Sequence, residues 1–451
     1  MTAILAAAAV VGCGSSSSSG SSSTGSDTSA TTAATSAATT DLSGSGAKPY
    51  EGVTLSVWGG EAELGTGNAG TTAIMEKATE ELGMQFDIEV QPGGTEGDNI
   101  IKTRCASGDL PDLINYNSGS LLVALNPAEH FLDLTDEAMT AKFDDSFKSA
   151  VAVDGKVYGA PFTTTQGGCV VYWKPDYEEL GLEVPKTWDE FVSNCQKLKD
   201  AGKTPVYLSA GDTWTTQVLF LGDNYNVCAK DPDFPTNFTN GTAKFATSEA
   251  GLTSWNKYGD LVDMYNADAT AAKTEDAYIA MSKGEATHWI ILTQVIAQII
   301  AKDSAAADNL GVFGVPGDNP DNCGLTVWEP NAWYINKDST NKDAVLAFLD
   351  FWYQEENMDQ YISIQGANGP SCIKGYTLPD SVVPAIRVDM QKYFDEGKTC
   401  PALEFQTTVK GATCEQITTA AAFGQITGAE AAQMYDDDCK KSAVQQGLNW
   451  Q

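Results

Sequence analysis

From Val53 onward the apolar residues of this chain keep switching between a period of two and a period of about 3.6 residues. Val53, Leu55 and Val57 alternate with Thr54 and Ser56, which puts the apolar side chains on one face of a strand. Ile74, Ala78 and Leu82 then fall on one stripe of a helix, and Phe86, Ile88 and Val90 alternate again. Strand, glycine-rich loop, helix and strand in that order form a βαβ opening. A helix over 97–107 and a short strand at Leu113-Ile114 continue it. Strands are predicted at 168–173 and 204–209 around a helix at 187–201. In that helix Thr187 and Glu190 read as a capping box, and Trp188, Phe191, Val192, Cys195 and Leu198 as the apolar stripe. Strands at 311–316 and 332–336 precede a helix over 342–353, and the rest reads as mainly helical. The alternation predicts α/β architecture throughout, with no internal repeat, and 451 residues suffice for two or three domains.

The first 47 residues have another character. Residues 3–11 are an apolar run too short to span a bilayer but suited to the core of a secretion signal. Val10-Val11-Gly12-Cys13 follows and resembles a bacterial lipobox, in which the Cys is lipidated and becomes the mature terminus. No Lys or Arg precedes the run, a departure from the usual basic start. Residues 14–47 are almost only Ser, Gly, Thr and Ala, with Asp27, Asp41 and Leu42 as exceptions, so they bury no core. As a flexible coil they would average roughly 30–35 Å end to end. The expected organisation is a signal segment 1–13 with Cys13 lipidated and a tether 14–49. The folded body then sits at the extracellular face of a bacterial membrane, held by the lipid alone. The best later apolar stretch, 289–300, contains Thr293, Gln294 and Gln298 and is too short to span.

Charge and composition narrow the function. Lys+Arg is 27 and Asp+Glu 60, a net charge of −33, which repels nucleic acid and anionic lipid surfaces. The same deficit of bases disfavours a phosphate-rich ligand. Only 2 His are present, too few for a multi-histidine metal centre. Ten Cys less Cys13 leave an odd nine, so at least one thiol is free. No Cys-x-x-Cys occurs, and Cys400–Cys414 is the most local candidate bridge. Gly65-Thr66-Gly67-Asn68-Ala69-Gly70 fits G-x-G-x-x-G with Glu89 beyond it, but it begins seven residues past Trp58. A glycine-rich loop at the carboxyl end of a strand therefore explains it better than a dinucleotide site. Asp436-Asp437-Asp438 reads as a solvated helix face, and His288 as a hydrogen-bonded core residue in an apolar strand. No motif for a nucleophile, Walker A loop or metalloprotease is present.

Residues 154–209 contain Asp-Gly-Lys-Val-Tyr-Gly-Ala-Pro-Phe, Val-Tyr-Trp-Lys-Pro-Asp-Tyr-Glu-Glu-Leu-Gly-Leu-Glu-Val-Pro-Lys-Thr-Trp-Asp-Glu-Phe and Lys-Leu-Lys-Asp-Ala-Gly-Lys-Thr-Pro-Val. Ala106–Leu113, Leu132–Thr135, Asn331–Trp352, Gly366–Pro370 and Gly428–Ala432 follow the same pattern. Over about 50–440 the chain resembles the extracellular solute-binding proteins of carbohydrate ABC importers, the group that includes maltose-binding protein. The resemblance implies a two-lobed periplasmic-binding-protein-like α/β fold with the ligand in a cleft between lobes joined by crossing strands. Carried over, the crossings fall near Pro161, Pro316 and Ser371. The N-terminal lobe is then 50–161 plus 317–370, and the C-terminal lobe 162–316 plus 371–451.

The resemblance also implies a function: a monomeric receptor that binds a sugar or oligosaccharide without catalysis or cofactor and delivers it to the permease subunits. Its cleft loops would carry Trp58, Glu61, Asn117, Ser118, Thr164, Thr165, Gln166, Asp212, Trp214, Thr293, Gln294, Trp328, Glu329, Asn331 and Asn368. Sugars offer apolar ring faces and a belt of hydroxyls, which aromatic platforms with carboxylate and amide partners suit. Gly284–Trp289 matches the family segment that is often followed by a stacking Trp; here Gln294 stands at that position. Two other readings stay open. One is a secreted carbohydrate-active enzyme using an Asp/Glu pair. The other keeps the fold with a polyamine, peptide or metal as ligand.

Overall fold

In the computed structural model, which describes residues 48–92 and 94–450, the alternating segment after Val53 forms strand Thr54–Gly60. It lies parallel to Gln85–Gln91 on one side and Leu113–Tyr116 on the other. The expected signal segment, Cys13 and all of the tether except Lys48 and Pro49 lie outside the described residues. The first sheet runs Gln85–Gln91, Thr54–Gly60, Leu113–Tyr116, Ala332–Ile335, Gly159–Pro161, with Ala332–Ile335 antiparallel to both neighbours. Its central strands are buried on both faces, and helices Ala69–Leu82, Lys342–Trp352 and Glu355–Gln365 add their apolar stripes to the same core.

Asp112 pins this sheet. Its carboxylate accepts from the Ser56 amide and hydroxyl at 2.9 Å each and from Ser339 at 2.5 Å. Burial alone would raise its pKa, but these bonds and one from Asn341 outweigh it and hold the group below its ordinary value. The second predicted strand, 86–90, forms as expected, yet Ile88 and Val90 are 41% and 38% exposed. Gln85–Gln91 is an edge strand, and only Phe86 reaches the core, against Phe348.

The second sheet runs Thr399–Pro401, Leu325–Trp328, Gln166–Trp173, His288–Leu292, Val206–Tyr207. Leu310–Gly314 shares one edge of the long central strand with Leu325–Trp328. The capping box of helix Trp188–Asp200 is present in both halves. His288 is fully buried: its Nδ1 donates to the Pro205 carbonyl at 2.7 Å, which leaves Nε2 to accept from Tyr177 Oη at 2.8 Å. Burial pushes its pKa down to about 3, so it stays neutral.

Three differences from the sequence reading have clear physical causes. Leu325–Trp328 hydrogen-bonds into the second sheet, so the chain returns to the first sheet across 329–331 and not near Pro316. The first and third passages run side by side: Thr165 donates to the Pro370 carbonyl through both N and Oγ1 at 2.9 Å. Beyond Ser371, however, the Asp144 amide still donates to the Cys372 carbonyl, so 372–374 packs with the first sheet's core. Finally, Asp436 and Asp438 are buried, not solvated. Asp436 accepts from the amides of Phe245 and Ala246, and Asp438 from Thr413 N and Oγ1. These bonds tie helix Gly428–Gln445 to two loops that offer unpaired donors. Burial still raises the Asp436 carboxyl to about 6.

Gly70 supports the structural reading of the glycine motif. It sits inside helix Ala69–Leu82, where a Cβ would stand 2.9 Å from the Tyr361 ring. Close helix packing, not a phosphate, requires the glycine. Among the described residues no helix is long and apolar enough to cross a membrane.

Candidate functional site: a cleft at the strand ends

Strands Thr54–Gly60, Gln85–Gln91 and Leu113–Tyr116 are parallel, so their carboxyl ends emerge together. Ala332–Ile335 is antiparallel and pairs Ala332 with Tyr116, which brings Asn331 to the same edge. From the second sheet the start of Gln166–Trp173 and the ends of Leu325–Trp328 and His288–Leu292 meet there too, through the pairs Trp328–Gln166 and Leu292–Gly168. Open sheets leave their ligand crevice at such carboxyl ends. Between the two sets lies a cavity of about 730 Å³, in the usual size range of small-molecule sites.

Nine of the expected residues line it: Trp58, Glu61, Asn117, Ser118, Gln166, Gln294, Trp328, Glu329 and Asn331. Asn331 Nδ2 donates to Glu63 Oε1 at 3.0 Å and Asn115 Oδ1 at 3.3 Å. Ser118 donates to the Pro330 carbonyl. Trp328 lies over Gly168, where any Cβ would collide with its ring, and its Nε1 donates to Glu404.

Six expected residues are elsewhere. Thr164 Oγ1 accepts from the Asn368 amide, and Thr165 is buried on Pro370. Thr293 Oγ1 accepts from Gly167 N at 2.8 Å. Asp212 caps Thr274, accepting from its N and Oγ1 at 2.8 and 2.7 Å. Trp214 lies half-buried in the short helix Thr213–Gln217 against the core and is not part of the cavity wall. The turn before it leaves the ring packed against that core. Asn368 lines a second cavity of about 380 Å³, which adjoins the first and shares Glu63, Gln166, Gln294 and Asn331 with it.

Other lining residues escaped sequence reading. Glu63, Asn115 and Tyr116 lie one or two residues from the expected Glu61 and Asn117, at the same strand ends. Asp98, which accepts from Tyr116 Oη at 2.7 Å, and Glu404 and Phe405 carry no local signal. Phe405 is the one aromatic lining residue with substantial exposure; Trp58, Tyr116 and Trp328 are 2%, 5% and 9% exposed.

The wall holds five carboxyl groups, Glu61, Glu63, Asp98, Glu329 and Glu404, and no Lys, Arg or His. Among the described residues nine buried side-chain polar atoms have no hydrogen-bond partner. Four belong to this wall: Trp58 Nε1, Asn115 Nδ2, Gln166 Oε1 and Glu329 Oε1. Buried polar atoms left unpaired are costly, and here donors and acceptors of that kind gather in one wall.

Burial pushes the Glu329 carboxyl up to about 7, helped by the nearby Asp144 charge. The folded protein therefore holds this proton until pH reaches about 7, whereas the unfolded chain releases it near 4.5. Stability must fall as pH rises through that window. Glu329→Gln is expected to remove up to about 3 kcal/mol of this decline, read from denaturant unfolding at pH 5 and pH 8. Parallel pH dependences in the two proteins would show that Glu329 titrates normally.

The family profile described as bacterial extracellular solute-binding protein matches residues 65–359. Among curated proteins, the multiple sugar-binding protein of Streptococcus mutans is 36% identical over 117 residues, 26% of this chain and 28% of that protein. The diacetylchitobiose-binding protein DasA of Streptomyces coelicolor is 25% identical over 283 residues, 61% of this chain and 64% of its own length. The matched stretches thus span less than two thirds of these relatives. Among solved structures, apo RafE of Streptococcus pneumoniae superposes with a TM-score of 0.71 at 20% identity, covering 87% of this chain and 98% of RafE. A binding protein of Bacillus subtilis in an open conformation superposes with a TM-score of 0.73 at 16% identity, covering 89% and 100%.

Proposed function

This chain belongs to the bacterial extracellular solute-binding proteins, and we propose that it captures a sugar or oligosaccharide in the cleft and delivers it to the permease of an ABC importer. The carrying observation is the cleft wall. It pairs aromatic faces with carboxyl and amide groups, leaves four polar atoms without partners and contains no base. A sugar supplies what that wall lacks, an apolar ring face and hydroxyls that both donate and accept. Elements of both sheets contribute, so closure by rotation about the three passages buries the guest.

The test is a calorimetric titration of the purified protein with raffinose, stachyose and chitin oligosaccharides, the ligands named for proteins of similar fold, and with xylo-oligosaccharides. At least one is expected to bind and to be recovered intact. At a hundredfold excess over Kd it should add about 2.7 kcal/mol of apparent stability. Steady hydrolysis abolished by Glu329→Gln would transfer the case to the enzyme reading. Binding only to a polyamine or peptide would keep the fold and replace the ligand.

We further propose that the lipidated Cys13 anchors the receptor through the Ser/Gly/Thr-rich segment that follows it. The supporting observation is Val-Val-Gly-Cys ahead of a segment of almost only Ser, Gly, Thr and Ala. Cys13→Ser in a chain with a complete signal should move the protein from the membrane fraction to the medium; unchanged fractionation would sink this reading.

A further inference from the structure

All nine described cysteines are free thiols. Six are buried: Cys105, Cys169, Cys195, Cys372, Cys414 and Cys439. Half-buried Cys323 faces the carbonyls of Lys186 and Pro320. The remaining two, Cys228 and Cys400, are also half-buried, and one amide nitrogen, Gln406 Nε2, lies within 3.9 Å of both sulfurs. Cys228 is on helix Asn224–Lys230 and Cys400 on strand Thr399–Pro401. The bridge considered from the sequence, Cys400–Cys414, is not the pair the fold brings together.

The surroundings of Cys400 suit a thiolate. Gln406 Nε2 lies 3.4 Å from its sulfur and 3.9 Å from that of Cys228. Asn224 Nδ2 lies 3.7 Å from the Cys400 sulfur. Both amides are held in place by the Pro401 carbonyl, at 2.6 and 2.9 Å. The hydrogen bond from Cys228 and the one from Gln406 hold the Cys400 thiol below its ordinary pKa against the effect of burial, while the same contact raises Cys228. One easily ionised thiol beside a second that keeps its proton is the arrangement of an exchanging dithiol.

We propose that Cys228 and Cys400 form a reversible disulfide that latches helix Asn224–Lys230 to strand Thr399–Pro401. The latch lies directly behind the cleft. Thr399–Pro401 pairs with the strand that carries Trp328 and leads into Leu403–Phe405, which supplies Glu404 and Phe405 to the wall. The oxidant is a disulfide, which the extracellular placement supplies and which the proposal takes from the functional reading above. The Cys400 thiolate attacks one sulfur of that disulfide; its S–S bond breaks, and one thiolate leaves with the electron pair. Cys228 then loses its proton to solvent and attacks the Cys400 sulfur of the mixed disulfide, expelling the second thiolate. Two protein thiols are oxidised and one external disulfide is reduced to two thiols.

The test uses oxidised glutathione on the full chain, followed by denaturation, maleimide labelling and peptide mapping, which also separates Cys13. Wild type is expected to lose two labelled thiols and to yield a 228–400 linked peptide that dithiothreitol reverses. Cys228→Ser should stop at a glutathione adduct on Cys400. Cys400→Ser should react at least about tenfold more slowly at Cys228. Unchanged circular dichroism shows that both variants fold. A linkage between other cysteines, or full labelling of both thiols after oxidation, would overturn the latch. Either result would leave the sugar titration untouched, so failure of the latch and failure of the receptor reading are separable.

Discussion

Replacing Lys257 by Met is expected to lower folding stability by about 3–5 kcal/mol, the largest single-residue effect anticipated here. Lys257 and Asp223 are 2% and 1% exposed, and Lys257 Nζ lies 2.5 Å from Asp223 Oδ1. The ammonium also donates to the Pro316 carbonyl at 2.7 Å and stands 4.9 Å from the Trp188 ring centroid. Three segments thus converge on one charge: helix Glu249–Leu261, the start of Asn224–Lys230, and the exit from Leu310–Gly314. Met keeps most of the stem's packing but strands the Asp223 carboxylate in the interior with Asn226, among the described residues, as its remaining side-chain partner. The penalty arises mainly from that orphaned charge, so Lys257→Met with Asp223→Leu should recover most of it. Denaturant midpoints for the single and double variants decide the matter. A loss under about 1 kcal/mol for the single variant would show that solvent reaches this pair.

Phe405→Ala is expected to weaken sugar binding roughly 5- to 150-fold, the equivalent of about 1–3 kcal/mol. Trp58, Tyr116 and Trp328 also line the cleft, but they are more than nine-tenths buried, so their loss would unfold as well as disarm the wall. Phe405 is half-buried. Gly119 packs against its ring closely enough that a Cβ would stand 2.6 Å away, which holds the ring in place while part of its surface faces the cavity. Calorimetry and denaturant unfolding on the same variant separate the two roles. Weak binding with near-native stability supports the platform. Native affinity with a large loss of stability removes Phe405 from the site and would leave the cleft's polar groups to explain recognition.

Much of the fold was legible because its signals are local. The strand at Thr54–Gly60, the helix at Ala69–Leu82 and the capped helix from Trp188 follow from side-chain period and from hydrogen bonds that span three or four residues. The resemblance carried in the Pro-Lys-Thr-Trp-Asp-Glu-Phe block pointed to the fold, and the mapping of its crossings led to nine of the residues that line the cavity.

What only the tertiary structure decided depends on partners far away in the chain. The Leu-Thr-Val alternation of Leu325–Trp328 is too short to mark a sheet, and its membership of the second sheet rests on pairing with 166–168. Asp436 and Asp438 look solvated in sequence because nothing local shows that amides near 245 and 413 need acceptors. Trp214 and Asp212 follow a turn that seemed to expose them, yet a core contact and Thr274 claim them. Glu404 and Phe405 reach the cleft because Thr399–Pro401 pairs with Leu325–Val327. Period and capping are set by neighbours a few residues apart. Which loops meet at the cleft is set by strand pairings whose members lie tens to hundreds of residues apart, and no local pattern encodes those.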